Sequence, residues 1–222
     1  MIVSVVIPTL DEAPRIGSLV PRLVRDGVEV IVVDGGSRDG TPELARRAGA
    51  RVLESPRGRA RQLRLGGLAA NGEWIVFLHA DTSLPDGWVD ALRAAARDPH
   101  CAGGAFGFRL AERGGLFRSI EWGTRLRNRW LGLPYGDQAL FLRRRVLEAM
   151  GGVPDVPIFE DLDLVRGIRR AGRLRLLTAV ATTSARRYRE RGGLRTILLH
   201  QWALVGWWLG WDRERIARRL GR

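Results

Sequence analysis

The sequence predicts an α/β fold in which a mostly parallel central sheet is flanked by helices and followed by a C-terminal helical segment. Short apolar runs rich in β-branched residues recur in the N-terminal half, at Ile2–Ile7, Val28–Val33 and Trp74–Leu78. Such runs are typical of strands that are buried on both faces. Helix-like stretches separate them, and this alternation produces right-handed crossovers between parallel strands.

The remaining elements follow from hydrophobic periodicity and from helix-end signals. In the N-terminal half we predict helices at Glu12–Asp26, Thr41–Ala48, Arg59–Ala70 and Gly87–Arg97, and a strand at Gly103–Arg109. Ser37 or Asp39 is the expected cap of the second helix. Farther along we predict a helix at Leu116–Trp130, a short strand at Gln138–Arg143 and a helix at Asp161–Ala171 that is closed by Gly172.

The domain organisation is expected to be simple. A chain of 222 residues that is 45% hydrophobic can bury one good core. We expect one domain over residues 1–191, with halves that meet near residue 110, and a helical segment rich in Trp and Arg over residues 192–222.

The charge points to anionic ligands. The formal net charge is +13, and all 37 basic residues are arginines. This excess suits nucleotide diphosphates, anionic lipid surfaces or nucleic acid. The single cysteine, Cys101, cannot form an intrachain disulfide, and the apolar start of the chain lacks the basic lead-in of a signal peptide. We therefore expect a cytoplasmic protein.

Polar residues follow each of the three apolar runs. They are Pro8-Thr9-Leu10-Asp11-Glu12, Asp34-Gly35-Gly36-Ser37-Arg38-Asp39-Gly40 and His79-Ala80-Asp81. Ligands of open α/β sheets bind beyond the carboxyl ends of the strands, so these carboxylates should meet at one rim. Asp81 suits Mg²⁺ or Mn²⁺, because hard cations take oxygen ligands and complete their shell with phosphates. Asp34 could accept hydrogen bonds from a base or ribose, whereas Asp39 could equally be a turn or cap residue.

The same residues carry a resemblance to a known family. Val5–Glu12, Val32–Thr41 and Phe77–Asp81 resemble the three signatures of family 2 glycosyltransferases, which have the Rossmann-like GT-A fold. Gly151-Gly152 and Phe159–Leu164 resemble that family's acceptor-side Glu-Asp motif. The resemblance runs from residue 2 to about residue 187. It implies a nucleotide-sugar half over residues 1–110 and an acceptor half over residues 111–191.

The resemblance also implies a donor site for a UDP- or GDP-type nucleotide sugar. The expected donor-side residues are Pro8, Thr9, Leu10, Glu12, Asp34, Gly35, Asp39, Arg61, His79, Ala80 and Asp81. Asp81, the last position of the metal motif, is the expected metal ligand. The first position of that motif is His79 rather than Asp. We expect it to pack or to contact ribose, with direct ligation of the metal as the alternative. Arg64 stands where many relatives have Asn.

The reaction implied by the resemblance is an inverting transfer by single displacement. Asp161 is the expected general base and Glu160 its support, although an Asp at a helix start also stabilises the helix dipole by itself. Arg186 and Arg187 are candidates for binding the leaving diphosphate. Asp137 and Gln138 should shape the acceptor side, where the acceptor is either lipid-like or a small metabolite.

Three further segments narrow the resemblance. Gly58–Gln62, Gly103–Phe106 and Tyr135–Gln138 resemble a small bacterial subgroup known as arsenosugar-biosynthesis or diaponeurosporenoate-type glycosyltransferases.

The C-terminal segment has its own character. Leu194–Leu209 is apolar and, with Trp211 just beyond it, carries four of the eight tryptophans, but its 16 residues fall short of the roughly 20 that a spanning helix needs. Asp212–Leu220 resembles a short Arg-rich helix. Trp side chains with basic flanks favour a membrane surface, here the inner face of the cell membrane, or a homodimer contact, and packing of the helix over the sheet is the third interpretation. All three interpretations of residues 194–222 stay open.

Other classes of protein fit less well. A dinucleotide-binding oxidoreductase would carry Gly-x-Gly-x-x-Gly after the first strand, where this chain has Pro8-Thr9-Leu10. A metal-dependent nucleotidyltransferase remains an alternative, since it too uses a metal at a sheet rim. A basic nucleic-acid-binding protein is the other alternative. Because the arginines are scattered and no recognition motif occurs, we expect no nucleic-acid partner.

Overall fold

One eight-stranded sheet organises the computed structural model, which describes residues 1–186, 189 and 192–221. Its strands are β1 (Val3–Thr9), β2 (Glu29–Asp34), β3 (Arg51–Glu54), β4 (Trp74–Phe77), β5 (Thr82–Ser83), β6 (Cys101–Leu110), β7 (Phe141–Arg143) and β8 (Arg173–Thr183). The helices are α1 (Ala13–Arg25), α2 (Thr41–Arg47), α3 (Arg59–Ala69), α4 (Trp88–Ala96), α5 (Gly115–Leu131), α6 (Arg144–Ala149), α7 (Glu160–Ala171), α8 (Gly193–Trp208) and α9 (Arg213–Arg219).

The strand order is β3-β2-β1-β4-β7-β6-β8-β5. The first four strands are parallel, β7 is antiparallel to both of its neighbours, β8 is parallel to β6, and β5 is antiparallel to β8. The predicted α/β fold with a mostly parallel sheet is therefore confirmed. Because β1, β2 and β4 run in the same direction, the polar residues after them lie at one rim.

The strands β1, β2 and β4 are covered on both faces, which explains their continuous apolar runs. On one face β1, β2 and β4 pack against α1 and α4 through residues such as Ile16 and Leu92. On the other face they pack against α3, α6 and α7. The approach of α3 is close, since a Cβ added to Gly66 would lie 2.4 Å from Val6 Cγ1 and 2.8 Å from Val33 Cγ2.

Besides the elements that were not predicted, β3, β5, β8 and α6, two predicted features were wrong. The strand expected at Gln138–Arg143 begins only at Phe141, because Gly136–Gln138 forms a 3₁₀ turn and Ala139 has a φ of 47°, which no strand accommodates. The N-cap of α2 is Gly40, with a φ of 83°, rather than Ser37 or Asp39. The Asp39 carboxylate still accepts a hydrogen bond from the Thr41 N–H, at 3.0 Å.

The C-terminal helices pack on α7. Trp207 and Ala203 of α8 and Ile216 of α9 share an apolar cluster with Leu162. The Arg166 guanidinium lies over the Trp207 ring, 3.8 Å from its centroid. None of the helices in the described part of the chain combines the length and apolar character that crossing a bilayer requires.

Candidate functional site

A cavity of about 870 Å³ lies where the rim of the sheet meets the C-terminal helices. Asp81, Asp137 and Asp161 all line it, together with His79 and Arg59. These residues come from the end of β4, the turn before β7, the start of α7 and the start of α3. The fold thus collects acidic and basic groups from both halves of the chain around one space.

Asp81 is positioned by strands that the apolar runs did not predict. β5 and β8 pair Thr82 with Thr183, and the two hydroxyls are 2.9 Å apart. Each hydroxyl also lies 3.4 Å from Asp81 Oδ1, and the Ser184 N–H donates to the Asp81 carbonyl at 3.2 Å. The carboxylate is therefore held at the cavity wall by β8 as much as by its own strand end.

Asp161 is fixed by two backbone donors. The Gly136 N–H donates to its Oδ2 and the Leu162 N–H to its Oδ1, both at 2.9 Å. A Cβ added to Gly136 would lie 3.2 Å from His79 Nε2 and 3.5 Å from Asp161 Oδ2. Gly136 thus lies between His79 of the third signature and the Asp161 carboxylate, and a side chain at this position would be in close contact with both.

The electrostatics around Asp161 favour a basic carboxylate. Burial raises its pKa above the ordinary carboxyl value, and the negative charge of Glu160 raises it further, whereas Arg59 and the Gly136 N–H oppose the rise. Glu160, 2% exposed, forms an ion pair with Arg59. Although desolvation alone would lower the pKa of Arg59, Glu160 and Asp161 raise it, so its positive charge is secure.

Residues of the first two signatures form a network of hydrogen bonds at the ends of β1 and β2, beside the cavity. Asp34 is 3% exposed and accepts from the Gly36 and Ser37 N–H groups, at 2.9 and 2.8 Å, and from the Thr9 hydroxyl at 3.2 Å. Gln62 donates to the carbonyls of Thr9 and Val33, at 2.7 and 2.8 Å, which ties the ends of β1 and β2 together. Asp39 accepts from the Ala13 N–H at 2.9 Å, an arrangement that a turn residue would also have.

Most of the predicted site residues either line the cavity or lie beside it. His79, Asp81, Asp137 and Asp161 line the cavity. The donor-side residues that lie at the rim or beside the cavity without lining it are Pro8, Thr9, Leu10, Glu12, Asp34, Gly35, Asp39 and Ala80.

The predicted arginines and Gln138 lie in different surroundings. Arg61 is an exposed partner of Asp155, and Gln138 is buried and donates to the Phe106 carbonyl at 3.0 Å. Arg186 donates to Glu12 at 3.2 Å, which places it beside the first signature. Arg187 lies outside the described residues. The roles of all these residues stay predictions.

Backbone strain concentrates around the site. In the described part of the chain, the residues other than glycine with positive φ are Asp11, Ala139 and Phe159, at 53°, 47° and 67°. Asp11 belongs to the first signature, Ala139 follows Gln138, and Phe159 is the N-cap of α7. Positive φ is costly for an aromatic residue and is characteristic of positions where geometry is imposed by function.

Several lining residues were not predicted. Arg59 belongs to the Gly58–Gln62 segment, but its role depends on a partner distant in sequence, since it lines the cavity and pairs with the buried Glu160 of α7. Tyr135, whose ring centroid lies 3.6 Å from the Arg127 guanidinium carbon, was part of a motif but was not predicted as a site residue. Thr183 and Ser184 had no sequence signal. The helices α5 and α8 were predicted, but only their tertiary packing decides which of their side chains line the cavity.

The residues present can be tested against a divalent cation. Across the residues that the structure describes, no group of three or more His, Cys, Asp or Glu side chains is arranged to hold a metal. Mg²⁺, however, is usually bound through one or two carboxylates together with substrate phosphates and water. The single Asp81 carboxylate in the cavity wall fits that kind of shared site, in which the ligand shell is completed by a bound diphosphate.

Carboxylates at parallel strand ends, beside a cavity that opens to the surface, are typical of the ligand site of an open α/β protein. The chain belongs to glycosyl transferase family 2, whose family description matches residues 4–151. The resemblance drawn from the motifs is thus confirmed at the level of the family.

Three proteins illustrate this relationship. The succinoglycan biosynthesis protein ExoA of Rhizobium meliloti (strain 1021) is 31% identical over 100 residues, which are 40% of this chain and 30% of ExoA. S. aureus TarS 1–349 in complex with UDP-GlcNAc has a TM-score of 0.62 at 19% identity, over 84% of this chain and 59% of that one.

The third is glucosyl-3-phosphoglycerate synthase from Mycobacterium tuberculosis in complex with Mn²⁺, UDP-Glc and phosphoglyceric acid. It has a TM-score of 0.57 at 20% identity, over 82% of this chain and 70% of that one. The two structures share the fold of this chain. The matched part of the chain spans less than a third of the length of ExoA.

Proposed function

We propose that the protein transfers a sugar from a nucleotide-diphosphate sugar to an acceptor hydroxyl with inversion at the anomeric carbon. The observation that carries this proposal is that Asp81 and Asp161, from different halves of the chain, line one cavity. Membership of family 2 supports sugar transfer. The UDP-sugar complexes of TarS and of the mycobacterial synthase support a UDP-type donor, and the Mn²⁺ in the latter supports a divalent cation.

In the proposed reaction Asp161 accepts the proton of the acceptor hydroxyl. The acceptor oxygen forms a bond to the anomeric carbon while the bond from that carbon to the diphosphate oxygen breaks, and the electron pair leaves with the nucleotide diphosphate. The backbone N–H groups of Gly136 and Leu162 orient the Asp161 carboxylate. Glu160 and Arg59 form the ion pair that fixes the start of α7.

The donor side is proposed to use the first three signatures and Arg186. Arg186 donates to Glu12 of the first signature, and this position supports a role for its guanidinium in binding the diphosphate. Mg²⁺ or Mn²⁺ held by Asp81 would neutralise charge on the leaving diphosphate. The finer assignment to the arsenosugar-biosynthesis or diaponeurosporenoate-type subgroup remains a hypothesis about the acceptor.

Incubation with a panel of UDP- and GDP-sugars tests the reaction class. We expect slow release of nucleotide diphosphate from one donor with water as acceptor, and no pyrophosphate from nucleoside triphosphates with sugar phosphates. Pyrophosphate release would favour the nucleotidyltransferase alternative. Tight binding to nucleic acid at physiological salt, without release from any donor, would favour the nucleic-acid alternative.

The pH dependence of transfer should reflect Asp161. A general base acts in its deprotonated form, and burial followed by the charge of Glu160 raises the pKa of this carboxyl. The rate should therefore rise with pH through a midpoint above that of an ordinary Asp. Initial rates at saturating donor, measured in a series of buffers at constant ionic strength, give the midpoint. A rate that is flat through the acidic range would argue against this base.

We also propose that residues 194–222 contact an anionic membrane surface. Leu198, Val205 and Trp208 share one face of α8 and are 61%, 52% and 76% exposed. Exposed arginines accompany them, at Arg195, Arg215 and Arg218. Exposed apolar and Trp side chains next to basic groups match the headgroup region of an anionic bilayer.

Co-sedimentation with vesicles checks this contact. The full chain should pellet with vesicles that contain phosphatidylglycerol, and less so with rising salt, because the attraction is screened. Replacement of Leu198 and Trp208 by Ser should reduce pelleting about tenfold or more, since each substitution removes apolar area that the bilayer would bury. Leu68→Ser, at a position 56% exposed on α3, is the matched control. A protein that stays in the supernatant at low salt and sizes as a dimer would assign this face to a second copy.

A further inference from the structure

The walls of the cavity differ sharply in chemistry. Near the strand ends they carry Asp81, Asp137 and Asp161. On the helical side they are mostly apolar, with Ile120, Leu126 and Trp130 from α5 and Ile197, Ala203 and Leu204 from α8. The volume of about 870 Å³ lies within the range of about 300–1,000 Å³ that small-molecule sites occupy. The space is therefore large enough for a ligand with one polar end and an apolar body.

The lining residues of α5 and α8 recur at the spacing of one helix face. On α5 the lining positions include Ile120, Arg127 and Leu131, and on α8 they include Ile197, Gln201 and Leu204. Residues three, four and seven apart share one side of a helix. One stripe of each helix thus faces the cavity, and the polar positions on α8, His200 and Gln201, interrupt an otherwise apolar stripe.

The cavity is separate from the part of the site expected to hold the nucleotide. In the described chain, none of the lining residues comes from the first signature, Val5–Glu12, or from the second, Val32–Thr41. Only His79 and Asp81 belong to both the third signature and the cavity wall. The apolar space consequently lies on the acceptor side of Asp81, next to Asp161.

The cavity also opens to the surface through apolar side chains. Trp130 and Leu131 line it and are nevertheless 74% and 54% exposed. A sugar or a phosphorylated metabolite would leave these groups in contact with water, whereas a hydrocarbon chain would cover them. Covering these side chains with a hydrocarbon chain is favourable, because it removes apolar surface from water.

We infer that the acceptor is an amphiphilic alcohol whose hydroxyl reaches Asp161 and whose hydrocarbon body fills the space between α5 and α8. The inference rests on the proposed function and specifies its acceptor class. It predicts that the apolar part of the acceptor, rather than additional hydroxyls, supplies most of the acceptor binding energy.

A series of straight-chain primary alcohols from ethanol to decanol tests the inference on the unmodified full chain. The kcat/KM for transfer should rise up to about fourfold for each added methylene, the effect of burying that group, until the cavity is filled. Glycerol and glucose should be poor acceptors. Donor hydrolysis without added acceptor is measured in parallel. A flat chain-length series, or better transfer to glycerol, overturns the inference.

Gly123 offers a variant that narrows the cavity. It lines the cavity on α5, and a Cβ added there meets no atom within 4 Å, so a larger side chain causes no clash at its base. Gly123→Trp should lower the ratio of decanol transfer to donor hydrolysis more than about tenfold, the equivalent of about two methylenes. Gly115→Trp is the control, because Gly115 is also on α5 and equally open but lies outside the cavity wall.

The assignment of the cavity and the proposed function are overturned by different outcomes. Equal ratios in the Gly123 and Gly115 variants overturn the assignment of the cavity while donor hydrolysis still supports sugar transfer. Absence of diphosphate release from every nucleotide sugar overturns the proposed function, and the acceptor class with it.

Discussion

Asp161→Asn should lower sugar transfer by about two to four orders of magnitude, the usual contribution of a general base. Asparagine keeps the size of the side chain and one oxygen that can accept from the Leu162 or Gly136 N–H, but it cannot take the proton of the acceptor hydroxyl. Because Asp161 lies in the acceptor half of the site, nucleotide-diphosphate affinity should change little. Donor affinity by calorimetry and transfer rate by product detection separate the two effects.

Asp163→Asn is the matched control for this substitution. Asp163 lies on the same helix two positions farther on, is partly buried and pairs with Arg213, with Oδ1 3.0 Å from Nη2, and it does not line the cavity. Its loss should leave the transfer rate within a few-fold of the parent. If Asp161→Asn retains turnover, Glu160 or another residue is the base. If both variants lose activity together with thermal stability, the effect belongs to the packing of α7.

Asp81→Ala should remove the metal dependence of donor binding. In the unmodified protein we expect nucleotide diphosphate to bind at least about tenfold more tightly with Mn²⁺ than with a chelator, since the cation bridges carboxylate and phosphates. The variant should bind equally weakly in both conditions. Transfer should fall about a thousandfold, which corresponds to about 4 kcal/mol of lost charge stabilisation.

Asp86→Ala provides the comparison for Asp81. Asp86 follows β5, and its carboxylate is fully exposed and paired with Arg22 at 2.7 Å. That variant should keep the metal effect, because a surface ion pair contributes little. Titration of nucleotide diphosphate with Mn²⁺ and with a chelator, followed by calorimetry, gives the result. Binding to the parent protein that is equally tight in chelator would show that Asp81 has a different role.

The elements that were predicted well are those whose sequence pattern follows directly from their burial. β1, β2 and β4 are covered on both faces, so each is a continuous apolar run, and their observed limits differ from the predicted ones by at most two residues. The long helices α1, α5 and α7 were located equally well, because a helix that packs one face on a sheet must repeat its apolar residues every three to four positions.

The elements that were missed lack such a pattern. β3 is a four-residue edge strand, Arg51–Glu54, whose side chains are exposed or half-buried, so its formation depends on pairing with β2. β8, Arg173–Thr183, contains two arginines and several small residues and is largely solvent-accessible over its first half. It forms by pairing with β6, with two register irregularities that no local signal encodes. Yet β8 is the strand that holds Asp81 in place.

By itself the sequence determined the α/β class, the order of its main elements and the carboxylates at the strand ends, because strand burial and turn chemistry are local properties of the chain. Only the tertiary structure decided which of these residues meet. The Arg59–Glu160 pair joins residues 101 positions apart, the Gly136–Asp161 hydrogen bond joins residues 25 apart, and the apolar space lies between α5 and α8. Contacts of this kind arise from the packing of whole elements, so no window of sequence carries them.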